Sequence, residues 1–153
     1  MQEQIKCIVF RLAQEEFGVD VAQVRSIERV QSITYVPKAP SFVKGVINLR
    51  GSVIPVIDLR ERLSMNITAE STDTRLIIVH VLQQDVAFVV DAANDVTDID
   101  RSSLEPAPAT FGSVDIAYIY GVAKLKDKLL ILLNLENILA EHEALQAAEI
   151  ARV

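Results

Sequence analysis

The chain has 153 residues, half of them hydrophobic and 24% charged, enough to bury a real core as one compact unit or two very small ones. Twenty-one acids against 15 bases leave a formal net charge of −6, which argues against nucleic acid as a partner, because a phosphate-backbone binder carries the opposite balance. The single cysteine, Cys7, cannot form an internal disulfide, the start MQEQIKCIVFRLAQEEFG has no signal-peptide layout, and no stretch is long and apolar enough to enter a membrane, so a soluble, cytoplasmic protein is expected.

In chain order, most segments read as short strands with turn punctuation. The apolar run Ile5–Leu12 is a first strand and Phe17–Val19 a second. Asp20 is an N-cap candidate with Gln23 three residues on, predicting one helical turn with Val21 and Val24 on one side and Ile27 close by. Ser32–Phe42, with Pro37 and Pro40, reads as a strand end followed by a turn. Val46–Leu49 and Val53–Ile57 flank Arg50-Gly51-Ser52 as a hairpin, where Gly51 can supply a positive φ. Pro55 lacks an N–H, so the second of these strands is expected at an edge or a bulge. Leu59–Leu63 is a helical turn, and the polar residues 64–74 link to a second half.

That half repeats the style without a convincing sequence repeat. Leu76–Leu82 and Val86–Val90 are strands around Gln83-Gln84-Asp85, Val96–Ile99 is a shorter strand, 105–113 is a Pro-rich loop, and Ile116–Leu125 with Leu129–Leu133 is a further hairpin. Leu135, Ile138, Leu139, His142 and Leu145 then recur at helical spacing, with Asn134 as cap. The pattern is that of an all-β protein with a C-terminal α-helix.

Nothing in the sequence reads as catalytic. Cys7 lies within a predicted strand, where a free cysteine acts as a small hydrophobe, and His80 and His142 lie far apart and read as packed or surface residues. The acidic stretch DAANDVTDID resembles a calcium loop, but its sixth position is Val96 instead of glycine and it lacks the closing Glu, so Asp91, Asp95, Asp98 and Asp100 read as a solvated loop. No metal or other cofactor is expected, and no enzyme. By composition alone, Val21, Val24 and Ile27 close the end of a small barrel.

The motif GVINLRGSVIPVIDLRERL (45–63) resembles the signature of the CheW family, adaptors that couple chemoreceptors to the histidine kinase CheA. EEFGVDVAQVRSIERV, TYVPKAPSFVKGVINLRG, VAFVVDAANDVTDID, LEPAPATFG and KLLILLNLENIL extend the resemblance over nearly the whole chain. It implies a single CheW-like domain over 1–153, made of two SH3-like five-stranded β-barrel subdomains. The first barrel is expected at 1–63 together with the helix at 135–150, and the second at 64–134. It also implies a non-enzymatic scaffold that joins the regulatory domain of CheA and the cytoplasmic tip of methyl-accepting chemoreceptors, with no insertion into the membrane. Matched by position, Val21, Val24 and Ile27 fall on the receptor groove, with Ile8 carried over from the first strand. The kinase-contacting surface, mainly on the second barrel, is not assigned to individual residues.

Within the hairpin motif, Gly51 serves the turn, while Asn48 and Arg50 stand where polar partners are needed at its tip and support the binding surface. Family members often carry a Glu just before the groove isoleucine, able to pair with this Arg; here that position is Ser26. Glu28 has the same strand parity, so Arg50 is expected to pair with Glu28 or with backbone carbonyls. The same adaptor role in a chemosensory-like pathway with a non-flagellar output, such as surface motility, is the alternative.

Overall fold

The computed structural model describes residues 4–108 and 114–139. Its strands are β1 (Gln4–Leu12), β2 (Glu15–Asp20), β3 (Val24–Arg29), β4 (Val43–Leu49), β5 (Ser52–Asp58), β6 (Arg75–Val81), β7 (Gln84–Val90), β8 (Ala92–Asp100), β9 (Leu104–Glu105), β10 (Ile119–Leu125) and β11 (Lys128–Leu133). Two one-turn helices, α1 (Leu59–Arg62) and α2 (Leu135–Ile138), and short 3-10 turns join them. The remainder of the helix expected at 135–150, including His142 and Leu145, and the end of the Pro-rich loop lie outside the described residues.

The strands form two sheets. Sheet one runs β8-β1-β2-β11-β10-β9 and sheet two β3-β6-β7-β5-β4. This corrects the expected division at residue 64: β1 and β2 pair with strands from the far end of the chain, while β3 to β7 form the other sheet. Hydrophobic runs report burial but not partners, and β2 finds β11 through a parallel ladder, Ile131 opposite Phe17 and Leu132 opposite Gly18. The strand counts, six and five, also differ from two fives.

Two local expectations change as well. The acidic stretch is not a loop but β8, a nine-residue edge strand whose register sets Val96 against Ile8 and Ile99 against Ile5. Charged side chains on an edge strand keep it from pairing with other chains, which accounts for the acids there. The strand carrying Pro55, β5, is interior, between β7 and β4; its ladder with β7 begins at Val56, and the bulge lies in β4, between Val43 and Gly45.

Alternation along each strand sorts the apolar side chains onto two faces. On β1, Ile8, Phe10 and Leu12 enter a large cluster shared by both sheets, with Phe17, Ile57, Ile77, Val79, Phe88, Leu59 and Ile138. Phe10 and Phe17, directly opposite in the β1–β2 ladder, stack with ring centroids 5.9 Å apart. Ile5, Cys7 and Val9 instead join Ile99, Leu130 and Leu132 in a second cluster. A third, on sheet two, gathers Ile47, Ile54, Val56, Leu76 and Ile78. Each sheet thus buries side chains on both faces, with the shared cluster as the seam between them.

Polar ties fasten that seam. Arg62 on α1 donates to the Ile138 carbonyl at 3.0 Å and to the Tyr118 hydroxyl at 2.8 Å, its guanidinium 5.1 Å from the Phe42 ring centroid and 4.9 Å from that of Tyr118. The helix that follows β5 is thereby anchored to α2, which follows directly on β11 of sheet one.

Candidate functional site

The 3-10 turn Val21–Gln23 begins where β2 leaves sheet one, and the Asp20 carboxylate caps it by accepting from the Ala22 N–H at 2.9 Å. This turn contacts β1 and β6, bridging the two sheets at the edge of the seam. Val21 and Val24 are half-buried and pack on the shared cluster. Ile27 is 42% exposed, large for an isoleucine with a buried strand beside it.

Val24 and Ile27 are three residues apart, so a regular strand would point them to opposite faces. The β3–β6 register breaks this rule: Val24 sits opposite Val79, Ser26 opposite Ile78 and Ile27 opposite Ile77. Arg25 is the extra residue of a β-bulge, and the insertion turns Val24 and Ile27 to the same face as Ile77 and Val79, the seam face. Ile8 lies deeper, buried in the shared cluster, and its β8 neighbour Val96 is 49% exposed. Strand alternation places Val96 on the same side as Ile8. At the seam edge Val21 and Val24 are thus half-buried against the shared cluster, Ile27 is exposed on the same face of β3 as Val24, and Val96 is exposed beside Ile8. Sequence reading overlooked Val96 because it reads as part of an acidic segment; only the register against Ile8 gives it a role.

The hairpin motif lies on the other face of sheet two. Leu49 pairs with Ser52, leaving Arg50 and Gly51 as a two-residue loop, both with positive φ (50° and 89°), the twist that suits a tight hairpin. Asn48 Oδ1 accepts from the Gly51 N–H at 3.0 Å and closes the loop with its side chain. The structure brings Arg50 and Glu28 together: Arg50 Nη2 donates to Glu28 Oε2 at 3.2 Å, across from β4–β5 to β3. The Arg50 side chain is 70% exposed and that of Glu28 20%, so the pair is a surface tie between the hairpin tip and the strand that carries Ile27. Glu28 and Ser26 point to this face and Ile27 to the other, so the hairpin backs the aliphatic face of β3 without lining it.

Between them lies a polar recess of about 600 Å³ whose walls include Val24, Arg25, Arg50, Ile54, His80 and Asp85. Arg25 Nε donates to Asp85 Oδ1 at 3.0 Å, with His80 Nδ1 2.7 Å from the same oxygen. Cys7 is fully buried, and burial, reinforced by the charges of Asp20 and Asp98, pushes its thiol up to about 11, so it is a packing residue and not a nucleophile. Among the described residues no three His, Cys, Asp or Glu side chains are grouped to hold a metal ion, and no helix is long and apolar enough to cross a membrane.

Among the described residues, the two-sheet β scaffold leaves aliphatic side chains such as Ile27 and Val96 exposed beside the seam. The CheW-like domain family matches residues 6–143, and the chain belongs to that family of chemotaxis coupling adaptors. It is 38% identical over 143 residues to the chemotaxis protein CheW of Bacillus subtilis, covering 94% of this chain and 91% of that one. With the chemotaxis protein CheW of Klebsiella aerogenes the identity is 31% over 145 residues, 95% of this chain and 87% of its relative. The scaffolding protein TtCheW of Thermoanaerobacter tengcongensis has the same fold at a TM-score of 0.83 and 39% identity, over 92% of this chain and 91% of that crystal structure's.

Proposed function

We propose that the protein couples the cytoplasmic tips of methyl-accepting chemoreceptors to the regulatory domain of the histidine kinase CheA, working in the cytoplasm and transforming no molecule itself. The whole chain acts as one CheW-like domain, each sheet forming the wall of an SH3-like barrel. The buried clusters on both faces of each sheet support that reading, since a flat sheet with one covered face would leave the other to water.

Val21, Val24 and Ile27, with Ile8 beneath, form the receptor groove, and Val96 extends it. The observation that carries this is the bulge at Arg25, which spends a break in the β3–β6 ladder on turning two aliphatic side chains to the seam face together. The strip suits the apolar face of a helix, whose anchors recur at i, i+3 and i+4. Asn48, Arg50 and Gly51, with Glu28, hold the hairpin against the back of β3 and keep the groove in shape. The kinase binds a separate surface, and receptor and kinase held together raise each other's effective concentration, so modest contacts suffice. Signalling is then a bias on kinase conformation.

The test is parallel titration of the protein with a receptor-tip fragment and with the CheA regulatory domain. Val24→Asp places a charge in the strip and should reduce receptor affinity at least about tenfold, the order expected for desolvating an unpaired carboxylate, while kinase-domain affinity stays at the wild-type value. Equal loss of both with the fold intact, or no loss of either, rejects the assignment.

A further inference from the structure

The shared orientation of Val24 and Ile27 depends on a bulge in an edge strand. Among the described residues β3 pairs only with β6, so its register is held from one side, and relaxing the bulge by one residue would send Ile27 to the opposite face. Backbone hydrogen bonds alone do not favour the bulge, because the extra residue is left unpaired in the ladder. A side-chain tie is needed, and the extra residue supplies it.

Arg25 reaches from β3 over β6 to the start of β7. Its Nε donates to Asp85 Oδ1 at 3.0 Å, and its Nη2 lies 3.3 Å from His80 Nδ1. His80 and Asp85 are directly opposite each other in the β6–β7 ladder, so the receiving end is a fixed cross-strand pair and not a loose loop. The loop between them, Leu82 and Gln83, is a two-residue turn with positive φ at both positions, the rigid kind of hairpin connection. His80 shares the face of Ile78, away from the seam, so the tie pulls Arg25 one way while Val24 and Ile27 are directed the other.

We propose that Arg25 and Asp85 are positioning residues for partner binding: their ion pair locks the β3 bulge and thereby sets the spacing of the aliphatic strip, without either side chain touching the partner. This inference rests on the receptor-groove reading. The guanidinium is directed to His80 and Asp85, on the face of Ile78, and shares its recess with Val24, so the comparison of the Arg25 and Asp85 variants separates an effect through the β3 backbone from direct contact.

The test uses the full chain with Arg25→Ala, Asp85→Ala and the double variant, read by hydrogen exchange of the β3 amides and by titration with the receptor-tip fragment. Each single variant should speed exchange at Val24–Arg29 and weaken the fragment about two- to fivefold, the scale of a partly exposed ion pair. The double variant should be no worse than either single, since both remove the same tie, and CheA-domain affinity and Tm should stay unchanged. Unaltered β3 exchange in both singles overturns the proposal. So does a loss from Arg25→Ala that Asp85→Ala does not share, or additive losses, either of which means direct contact with the partner. Val24→Asp separates the two readings: if it leaves fragment affinity intact the groove reading fails, while β3 exchange in the Arg25 and Asp85 variants still decides whether the tie exists.

Discussion

Asp91 receives both arms of the Arg60 fork, Nε to Oδ1 at 3.0 Å and Nη2 to Oδ2, in a pair whose side chains are 15% and 19% exposed. The carboxylate also accepts from the Ala13 N–H at 2.7 Å, and Arg60 from the other side donates to the Asn66 carbonyl at 2.9 Å. One ion pair thus links the β1–β2 turn of sheet one, the β7–β8 junction and the helix that follows β5 of sheet two. Ala13 has φ at +57°, an unfavourable value for alanine that this hydrogen bond helps hold.

Burial alone would raise the Asp91 pKa, but the Arg60 hydrogen bond, the Ala13 N–H and the charges of Arg60 and Arg11 outweigh it and hold the carboxyl below its ordinary 3.8. A depressed pKa in the folded state contributes stability that is complete above the unfolded value and lost as pH falls through the folded one. Unfolding midpoints of the wild type should therefore decline below pH 3.8 more steeply than those of Asp91→Asn. At neutral pH Asp91→Asn should lose about 2–3 kcal/mol, because it leaves Arg60 largely buried without its counter-charge. Denaturant melts across that pH range check both, and parallel curves for the two proteins would contradict the account.

Gly45 has φ at +147°, and a Cβ there would lie 2.1 Å from the Thr34 carbonyl oxygen. The flanking pair Thr34 and Val46 exchange backbone hydrogen bonds of 2.8 and 2.9 Å, so the obstructing atom cannot swing away. Gly45→Ala should destabilise by more than about 3 kcal/mol through strain and overlap combined. Gly51→Ala, where nothing lies within 4 Å, should lose only the conformational preference, about 1 kcal/mol. Urea denaturation of the two variants side by side measures the contrast.

Cys7 should resist thiol reagents in the native protein. Its sulfur is sealed in the second cluster and its thiol is held near 11, so the thiolate is scarce at neutral pH. Labelling kinetics should follow unfolding, rising with denaturant along the unfolding transition; fast stoichiometric labelling without denaturant would mean that β1 opens locally.

Breaking the Arg50–Glu28 pair should hardly alter global stability, about 0.5 kcal/mol or less for so exposed a contact. Arg50→Ala should instead raise the mobility of the hairpin tip and lower receptor-fragment affinity modestly, and Glu28→Ala should do the same. Backbone relaxation of Leu49–Ser52 is the direct readout.

Much of this arrangement was legible in the residues. β1 follows from the run Ile5–Leu12, the hairpin from Arg50-Gly51-Ser52 (one residue longer than the loop observed), and the capped turn after β2 from Asp20, because each is a local event governed by propensity and cap chemistry. What escaped depends on partners distant in the chain. The parallel β2–β11 ladder has no local signature, so the halves were divided at the wrong place. Only Val96–Ile99 of β8 reads as a strand in the sequence, because the acids around it lie on an edge, where polarity imitates a linker. The bulge at Arg25 adds no turn residue, so the sequence places Ile27 close to Val21 and Val24 without showing how, and only the ladder register reveals the extra residue that turns Val24 and Ile27 to one face.

The interleaving of the sheets has a consequence for synthesis. Sheet two consists of one uninterrupted stretch, β3 to β7, whereas sheet one needs strands from both termini. As the polypeptide emerges from the ribosome, the middle can settle while β2 still lacks the neighbour that will arrive last. Truncations that remove β11 should therefore leave a nascent product with one finished lobe and a sticky, half-built companion, and a break in the chain placed between β2 and β3 should be survived better than one that removes either end.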